Sequence, residues 1–100
     1  MNNRITPQDL ENNIADENYF TAFEGVEVHY PASAISEELK RVTICVLELK
    51  NGFVVVGDSA CVDLSNFDAN LGRTAAKANA VSKVWALMGY ELKSNLQDTR

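Results

Sequence analysis

Arg73 and Lys77 are the residues whose types and spacing best predict ligand chemistry in this chain. They lie four residues apart, so on a helix they share one face and can bind a phosphate together. A polar stretch, Asp63-Leu64-Ser65-Asn66-Phe67-Asp68, comes just before them. Within it, Asn66 can bind the edge of a base or a ribose, and the Phe67 ring can stack on a purine. The pattern predicts a nucleotide site where a polar loop enters a helix, whose free N–H groups favour anions.

The same loop has a simpler interpretation, which the sequence leaves open. Ser65 can cap the following helix, with Asp68 three residues on as a near capping box. Asp63 and Asp68 would also repel an anion. Phe53, which follows an Asn-Gly turn, is a further candidate for stacking. Residue chemistry alone favours a helix cap over a ligand site.

No catalytic constellation is recognisable in the sequence. Asp58, in an apolar strand, and Asp63 are candidate acids or bases, although a hydrogen bond to a nearby loop is the commoner role for such residues. Cys45 and Cys61 lie among apolar neighbours, as small buried hydrophobes do. Their spacing, with the remote His29, does not predict a metal site. We expect a protein that is not an enzyme and that needs no cofactor and no metal.

Length and charge limit the possible partners. A chain of 100 residues predicts one domain, residues 1–100. The net charge is −5, and most of the acidic residues lie in the first forty positions, which argues against duplex nucleic acid as a partner. The N-terminus has no apolar signal segment and no run is long enough to cross a membrane. We expect a cytoplasmic protein that does not bind membranes.

The N-terminal segment predicts a helix followed by an aromatic anchor. Thr6 can cap a helix from about Pro7 to Glu17, because Pro7 suits the first helical position. Three aromatic residues that could anchor this segment follow: Tyr19, Phe20 and Phe23. Alternating apolar residues then predict a short strand at Val26–Tyr30. Residues 1–23 are thus interpreted as helix and anchor, and residues 24–100 as an α+β core.

A β-hairpin is predicted in the middle of the chain. Arg41 to Leu49 is rich in β-formers, and Asn51-Gly52 favours a two-residue type I′ turn into a second strand. A two-residue turn fixes a register in which Cys45 faces Asp58. Both faces of the hairpin are then partly apolar.

The last predicted element is a long helix from about Asn66 or Phe67 to Met88, which Gly89 ends. Its predicted sheet-facing stripe consists of apolar residues at helical spacing: Leu71, Ala75, Ala78, Val81, Trp85 and Met88. The opposite side is small enough for a second helix to approach, which hints at self-association: Gly72, Ala76, Asn79 and Ala86. The fold class predicted from all these elements is α+β, with an N-terminal helix, an antiparallel sheet of about three strands containing the hairpin, and a long C-terminal helix packed on the sheet.

Several motifs together resemble a family of small tailed-phage proteins named for gene 49 of one phage and gene 66 of another. They are NGF at 51–53, SACVD at 59–63, NFD at 66–68 and GY at 89–90. The resemblance covers nearly the whole chain. Leu64 is a departure, because a proline is expected there.

That family is in turn similar to the Thoeris anti-defence proteins. These are phage-made oligomers that sequester the cyclic ADP-ribose isomers of bacterial TIR-domain defence enzymes without cleaving them, and some hold other cyclic oligonucleotides. The resemblance implies a cyclic nucleotide ligand, a homo-oligomer and a role against host defence in the host cytoplasm. The polar loop, the helix start and a neighbouring subunit would form the pocket. General recognition chemistry then suggests Phe53 or Phe67 for stacking, Asn66 for the base or ribose, and Arg73 with Lys77 for phosphates.

Two other functions remain open at this stage. In one, the acidic N-terminal helix and the three aromatic residues dock on a host protein. In the other, the chain hydrolyses the same nucleotides through Asp58 or Asp63.

Overall fold

A computed structural model describes residues 3–98 and contains a three-stranded antiparallel sheet with a long helix packed on it. The strands, in spatial order, are β1 (Ile14–Thr21), β2 (Val42–Leu49) and β3 (Val54–Ala60). The α-helices are α1 (Pro7–Asn12), α2 (Ala22–Glu27) and α3 (Ala69–Asp98), and short 3₁₀ turns cover Ala32–Ala34, Glu37–Arg41 and Leu64–Asn66. The predicted α+β class, with about three strands and a C-terminal helix on the sheet, is confirmed.

The N-terminal helix begins as predicted but is much shorter. Thr6 and Asp9 form a reciprocal capping box at its start, and Leu10 buries its side chain in the core. The helix ends at Asn12, since asparagine is a weak helix former. Ile14–Thr21 is a strand because pairing along the whole of β2 outweighs the weak local helix preference. The prediction that the helix continues to Glu17 is therefore wrong.

The strand predicted at Val26–Tyr30 is also wrong. Its first residues belong to α2, where Thr21 Oγ1 accepts the Glu24 N–H (3.1 Å) and Glu24 accepts the Thr21 N–H (2.8 Å). Val28 and Tyr30, at 76% and 60% exposure, pack on no neighbouring strand. The alternation of apolar residues had no structural meaning here. The Thr-x-x-Glu capping pattern was the informative signal.

The hairpin turn has three residues rather than two. Gly52, with φ of 87°, is the positive-φ residue of the described chain, whereas a type I′ turn needs positive φ at both central positions. The Leu49 N–H donates to the Phe53 carbonyl (2.8 Å), which closes a loop of Lys50, Asn51 and Gly52. A three-residue loop with a left-handed glycine has this form.

The longer turn shifts the register by one residue. Cys45 lies opposite Gly57, and Ile44 lies opposite Asp58. The predicted pairing of Cys45 with Asp58 is wrong, and a one-residue shift moves every β3 side chain to the other face. Asp58 is consequently exposed on the face away from α3, and the glycine takes its place beneath the helix.

The small residues of α3 face the sheet of their own chain. Ala76, Ala80 and Val84 have no exposed surface, and Leu71 of the predicted stripe is 69% exposed. The core joins the three buried α3 residues to one side of the sheet and to α1: Leu10, Cys45, Leu47, Leu49 and Val55. Val81, Trp85 and Met88 of the predicted stripe pack at its margin. Close approach of α3 to the sheet accounts for Gly72 and Ala76, and Asn79 binds the β3 backbone, whereas Ala86 is exposed. Self-association stays a prediction.

The helix also continues well past its predicted end. Gly89 lies inside α3, which extends to Asp98. A glycine in a helix interior costs about 1 kcal/mol relative to alanine, and the good helix formers on both sides of Gly89 outweigh that cost. The prediction that Gly89 ends the helix is wrong.

The outer edge of β3 is covered by α3 side chains. Antiparallel pairing leaves alternate backbone groups of an edge strand facing outward. The Asp58 N–H donates to Asn79 Oδ1 (2.9 Å), and Lys83 Nζ donates to the Val56 carbonyl (2.6 Å). Both side chains extend from α3 to the middle of the strand.

The outer edge of β1 is covered by carboxylates that lie close to it in the sequence. The Glu17 N–H donates to Asp16 Oδ1 (3.0 Å), and the Thr21 N–H donates to Glu24 Oε1 (2.8 Å). Carboxylates thus accept from two outward-facing N–H groups of this strand.

The sheet face opposite α3 carries an apolar patch, which we call the valine face. It comprises Val42, Ile44, Val46, Val54 and Val56. Val54 and Val56 are 53% and 46% exposed. The charged strand residues on this face are all acidic: Asp16, Glu48 and Asp58.

Candidate functional site

Asp68, rather than Ser65, caps α3. Asp68 Oδ1 accepts the N–H groups of Asn70 (2.9 Å) and Leu71 (3.0 Å). Ser65 instead donates its own N–H to Asp63 Oδ1 (3.0 Å), and this backbone hydrogen bond lowers the pKa of the Asp63 carboxyl. The helix N-terminus that was predicted to bind an anion is therefore already occupied by a carboxylate of the chain.

Three neighbouring depressions lie around the first turns of α3. The main cleft, about 640 Å³, is bordered by Tyr19, Arg73 and Lys77. The small pocket, about 70 Å³, shares Tyr19 and Arg73 with it and adds Thr43 and Phe67. The loop pocket, about 170 Å³, lies on the other side of Phe67. Arg73 thus lies between the main cleft and the small pocket, and Phe67 lies between the small pocket and the loop pocket.

Lys77 is held by two carboxylates on the main cleft. Its Nζ lies 3.2 Å from Glu11 Oε1 and 3.2 Å from Glu17 Oε2. Burial by itself lowers the pKa of Lys77, but the hydrogen bonds to Glu17 and Glu11 outweigh burial and raise it. Lys77 therefore stays charged, yet its charge is more than balanced by its neighbours.

Arg73 is the available cation of the main cleft. Its exposed guanidinium forms no ion pair and no hydrogen bond with residues 3–98. Asn70 and Thr74 add polar groups beside it. The predicted Arg73 and Lys77 pair does share one cleft, and within residues 3–98 Lys77 is ion-paired whereas Arg73 is not.

Tyr19 borders the main cleft and packs against the hydrophobic core. Its hydroxyl donates to Glu17 Oε1 (2.8 Å). Burial, together with this hydrogen bond, raises the pKa of the Tyr19 hydroxyl. Opposite it on β2, Cys45 is fully buried, and burial raises the pKa of its thiol. A neutral buried thiol is a packing group rather than a nucleophile.

Asn66 and Phe67 lie together in the loop pocket. Asn66 is the last residue of the 3₁₀ turn, and Phe67 follows it; Asp63 caps the start of the turn. Asn66 is exposed and Phe67 is half-buried, with its ring close to Gly72 of α3. Phe67 also borders the small pocket, so it adjoins Arg73 there. The structure brings these two predicted residues to the same end of the molecule as the main cleft.

Phe53 does not join the other predicted residues. It lies at the hairpin end of β3, whereas Asn66 and Phe67 follow the opposite end. Strand β3 has 7 residues, which at about 3.4 Å each separates the two ends by more than 20 Å. Phe53 borders a different depression, with Leu87 and Met88.

The candidate catalytic carboxylates are not paired with one another. Asp58 is exposed on the valine face, and Asp63 is an exposed cap of the loop. Within residues 3–98, no group of histidine, cysteine, aspartate and glutamate could hold a metal ion.

The three aromatic residues of the predicted anchor do not form one exposed cluster. Phe23 is 7% exposed, and Tyr19 and Phe20 are on opposite faces of β1.

Thr43 borders the small pocket, and the sequence did not suggest it. It is 3% exposed, and its Oγ1 has no hydrogen-bond partner among the described residues. It looked like an ordinary strand threonine, and only the sheet register and the close approach of Gly72 reveal its position.

The fold defines a small α+β protein with one broad, open depression and two smaller pockets around the start of α3. The model of the phage protein (N4 Gp49/phage Sf6 gene 66) family matches residues 5–96, so the chain belongs to that family. The description of the family names no catalytic activity. No curated protein and no solved structure matches the chain. In the part of the chain that the structure describes, no helix has the length and apolar character needed to span a membrane.

Proposed function

We propose that the chain is a non-catalytic phage protein that sequesters a cyclic nucleotide immune signal in the main cleft and so inhibits bacterial anti-phage defence. The observation that carries the proposal is Arg73, a cation with no ion pair among residues 3–98, on an open depression of about 640 Å³. That volume is in the range of small-molecule sites, but the depression is shallow, so a ligand needs a second wall from another copy of the chain. The ligand class, a cyclic ADP-ribose isomer with other cyclic oligonucleotides as alternatives, is taken from the resemblance to the Thoeris anti-defence proteins set out under Sequence analysis.

In this proposal each site residue has a defined task. Arg73 binds a phosphate, Phe67 stacks on the base, and Asn66 binds the base or ribose edge. Lys77 reaches a phosphate only when the ligand displaces Glu17 or Glu11. Phe53 reaches the site only from a neighbouring copy, which fits the proposed homo-oligomer. The ligand would be captured in the host cytoplasm.

Calorimetry with cyclic ADP-ribose isomers and cyclic dinucleotides tests the proposal. We expect binding to the unaltered protein and a loss of about tenfold or more in Arg73→Ala, since a charge-assisted contact contributes about 1.5–3 kcal/mol. Lys93→Ala is the matched control, because Lys93 is an exposed cation of the same helix outside the cleft. Absence of heat and of a thermal shift for every nucleotide would refute the proposal.

Mass spectrometry separates sequestration from hydrolysis. The complex is denatured by heat and the released nucleotide is analysed. We expect the nucleotide to be recovered intact. Recovery of a cleaved product would instead support the hydrolase hypothesis with Asp58 or Asp63.

A second candidate function, docking on a basic host protein, is favoured by the valine face. Exposed apolar patches on one sheet face often mark interaction sites. The acidic rim of Asp16, Glu48 and Asp58 complements a basic partner and disfavours a face-to-face pair of identical copies. We expect affinity capture from infected cells to retain a stoichiometric basic protein that Val56→Glu loses. If Val56→Glu captures the same proteins as the unaltered chain, this candidate fails.

A further inference from the structure

The cations of the main cleft lie among carboxylates of their own chain. Arg73 borders the main cleft together with Glu11 and the small pocket together with Glu24. Lys77, the second cation of the cleft, lies 3.2 Å from Glu11 Oε1 and 3.2 Å from Glu17 Oε2. These two cations and three carboxylates together carry a net charge of −1. An anion at Arg73 therefore binds in surroundings that are negative as a whole.

Hydrogen bonds hold two of these carboxylates in place independently of Lys77. Glu17 Oε1 accepts from the Tyr19 hydroxyl (2.8 Å), and Glu24 Oε1 accepts the Thr21 N–H (2.8 Å). A carboxylate held by such bonds must break them before it can turn away from an entering anion. Its negative charge therefore acts on the ligand.

Phosphate groups differ in how much charge they bring to such a site. A terminal phosphate, bonded to the rest of the molecule on one side, carries a charge of about −1.5 to −2 at neutral pH. A phosphate bonded on both sides carries a single negative charge. The Arg73 guanidinium attracts the more highly charged group more strongly, but the carboxylates also repel it more strongly. The second charge therefore gains little, while the larger cost of removing it from water remains.

We propose that Glu11, Glu17 and Glu24 are specificity-determining residues, which make the main cleft select phosphates bonded on both sides over terminal phosphates. The inference rests on the proposed function, because it names the chemical class of nucleotide that the cleft accepts. In a cyclic nucleotide every phosphate is bonded on both sides, whereas a linear nucleoside mono-, di- or triphosphate ends in a terminal phosphate. The three carboxylates thus separate a cyclic signal from linear nucleotides.

Adenosine 5′-phosphate and its methyl ester test the proposal. The two probes share the base, the ribose and the phosphorus atom, and the added methyl group removes the second negative charge. Binding is followed at low ionic strength through the backbone amide resonances of α3 around Arg73. We expect the methyl ester to bind the unaltered chain at least as tightly as adenosine 5′-phosphate. A preference of about threefold or more for adenosine 5′-phosphate, or no binding of either probe, would overturn the proposal.

Glutamine variants assign the selectivity to the carboxylates. Glu11→Gln and Glu17→Gln each remove one negative charge and keep a side-chain oxygen that accepts hydrogen bonds. We expect each to shift the ratio of the two affinities toward adenosine 5′-phosphate by about threefold, because one repulsion of the second charge is lost. Glu24→Gln, which keeps its capping box, should shift the ratio in the same direction. Glu37→Gln is the matched control, because Glu37 pairs with Lys40. A ratio that no variant changes would refute the proposal.

Salt dependence distinguishes charge repulsion from a structural role of these carboxylates. The screening length is about 10 Å at 0.1 M ionic strength and about 3 Å at 1 M. The shift produced by Glu11→Gln should therefore shrink in 1 M salt. A shift of the same size at both ionic strengths would indicate a change in the shape of the cleft and would overturn the proposal.

Failure of this inference and failure of the proposed function give different results. Binding of a cyclic nucleotide together with a preference for adenosine 5′-phosphate over its methyl ester would leave the proposed function intact and remove the selectivity. Selection of the methyl ester with no binding of any cyclic nucleotide would refute the proposed function and keep the selectivity.

Discussion

Gly57 of β3 lies directly against the backbone of Ala80 in α3. A Cβ atom built on Gly57 would lie 2.4 Å from the Ala80 nitrogen and 2.4 Å from the Ala76 carbonyl oxygen. Both are backbone atoms in the middle of a long helix, so neither can move alone. The contact sets how closely α3 approaches the sheet, and therefore where Arg73 and Lys77 lie relative to β1.

Gly57→Ala should consequently be among the more destabilising small changes in the chain. The added methyl group must push the helix away from the sheet, and overpacking of this kind costs about 1–3 kcal/mol or more. Urea denaturation followed by circular dichroism measures the loss. A free energy of unfolding within 0.5 kcal/mol of the unaltered value would mean that the helix is not held in contact.

Gly89→Ala is the matched control for that experiment. Gly89 lies inside α3, and among residues 3–98 no atom beyond the adjacent helix backbone comes within 4 Å of a Cβ built at that position. The same substitution should therefore stabilise the chain by about 0.5–1 kcal/mol, the difference in helix propensity. If Gly57→Ala lowers the free energy of unfolding and Gly89→Ala raises it, the loss at Gly57 cannot be a general effect of replacing glycine.

The cap of α3 predicts a loss of stability in Asp68→Ala. Its carboxylate accepts from Asn70 and Leu71 at the helix start, and removal of such a cap costs about 0.5–2 kcal/mol. Thermal denaturation measures the effect. Asp68→Asn should retain most of the stability, since asparagine caps about as well as aspartate. Equal losses in the two variants would point to charge rather than hydrogen bonding.

The hydrogen-bonded group of Tyr19, Glu17 and Lys77 predicts a loss of stability at alkaline pH. Burial and the bond to Glu17 raise the pKa of Tyr19 above its ordinary 10.0. Bonds to Glu17 and Glu11 raise the pKa of Lys77 above 10.5 despite burial. Both groups hold their protons more tightly when folded, so their contribution is complete below pH 10.0 and is lost as the pH rises through the folded-state values.

Tyr19→Phe should flatten this pH dependence. The variant cannot ionise at this position, so its stability should fall less steeply above pH 10.0. Urea midpoints measured at neutral pH and at increasing alkaline pH provide the comparison. Identical slopes for the two proteins would show that Tyr19 has no raised pKa in the folded state.

The two carboxylates on Lys77 predict that the main cleft can be made more attractive to anions. Glu17→Gln and Glu11→Gln each remove a negative charge close to the Lys77 ammonium. Pyrophosphate binding should tighten by about fivefold per substitution, from roughly 1 kcal/mol per charge pair, and become more dependent on salt. Glu37→Gln, whose carboxylate pairs with Lys40 instead, should leave the affinity unchanged.

The broad fold could be predicted from local patterns, but two details could not. The cap at Thr6, the β-formers of Arg41–Leu49 and the spacing of apolar residues along the long C-terminal helix are local signals. Strand β1 was missed because Ile14–Thr21 becomes a strand only by pairing with a distant segment. The hairpin register was missed because the loop uses a left-handed glycine at one position rather than two.

The face that α3 turns toward the sheet could not be predicted from local sequence patterns either. Larger apolar residues such as Leu71 were expected to face the sheet, yet the small residues around Ala76 and Ala80 lie there. The decisive fact is that the opposing position on β3 is Gly57, and that follows only from the correct register. Apolar spacing along the helix carries no information about the small residue opposite it on β3, so the predicted stripe was displaced toward the core margin, where Val81, Trp85 and Met88 pack.

The candidate site was only partly predictable for a related reason. Spacing predicted that Arg73 and Lys77 share one helix face, and both border the main cleft. It could not reveal that Glu11 and Glu17, about sixty positions earlier, bind Lys77. Nor could it show that Thr43 is buried without a partner, since burial depends on the packing of α3.

The two protected edges of the sheet limit how copies of this chain can assemble. Asn79 and Lys83 cover the middle of β3, and the carboxylates of Asp16 and Glu24 accept from β1. A further strand cannot be added at either side without displacing these groups. Fibril growth by strand addition is thereby opposed at both edges, so an assembly of copies would have to use side-chain surfaces, and a contact that closes on itself would give an oligomer of fixed size.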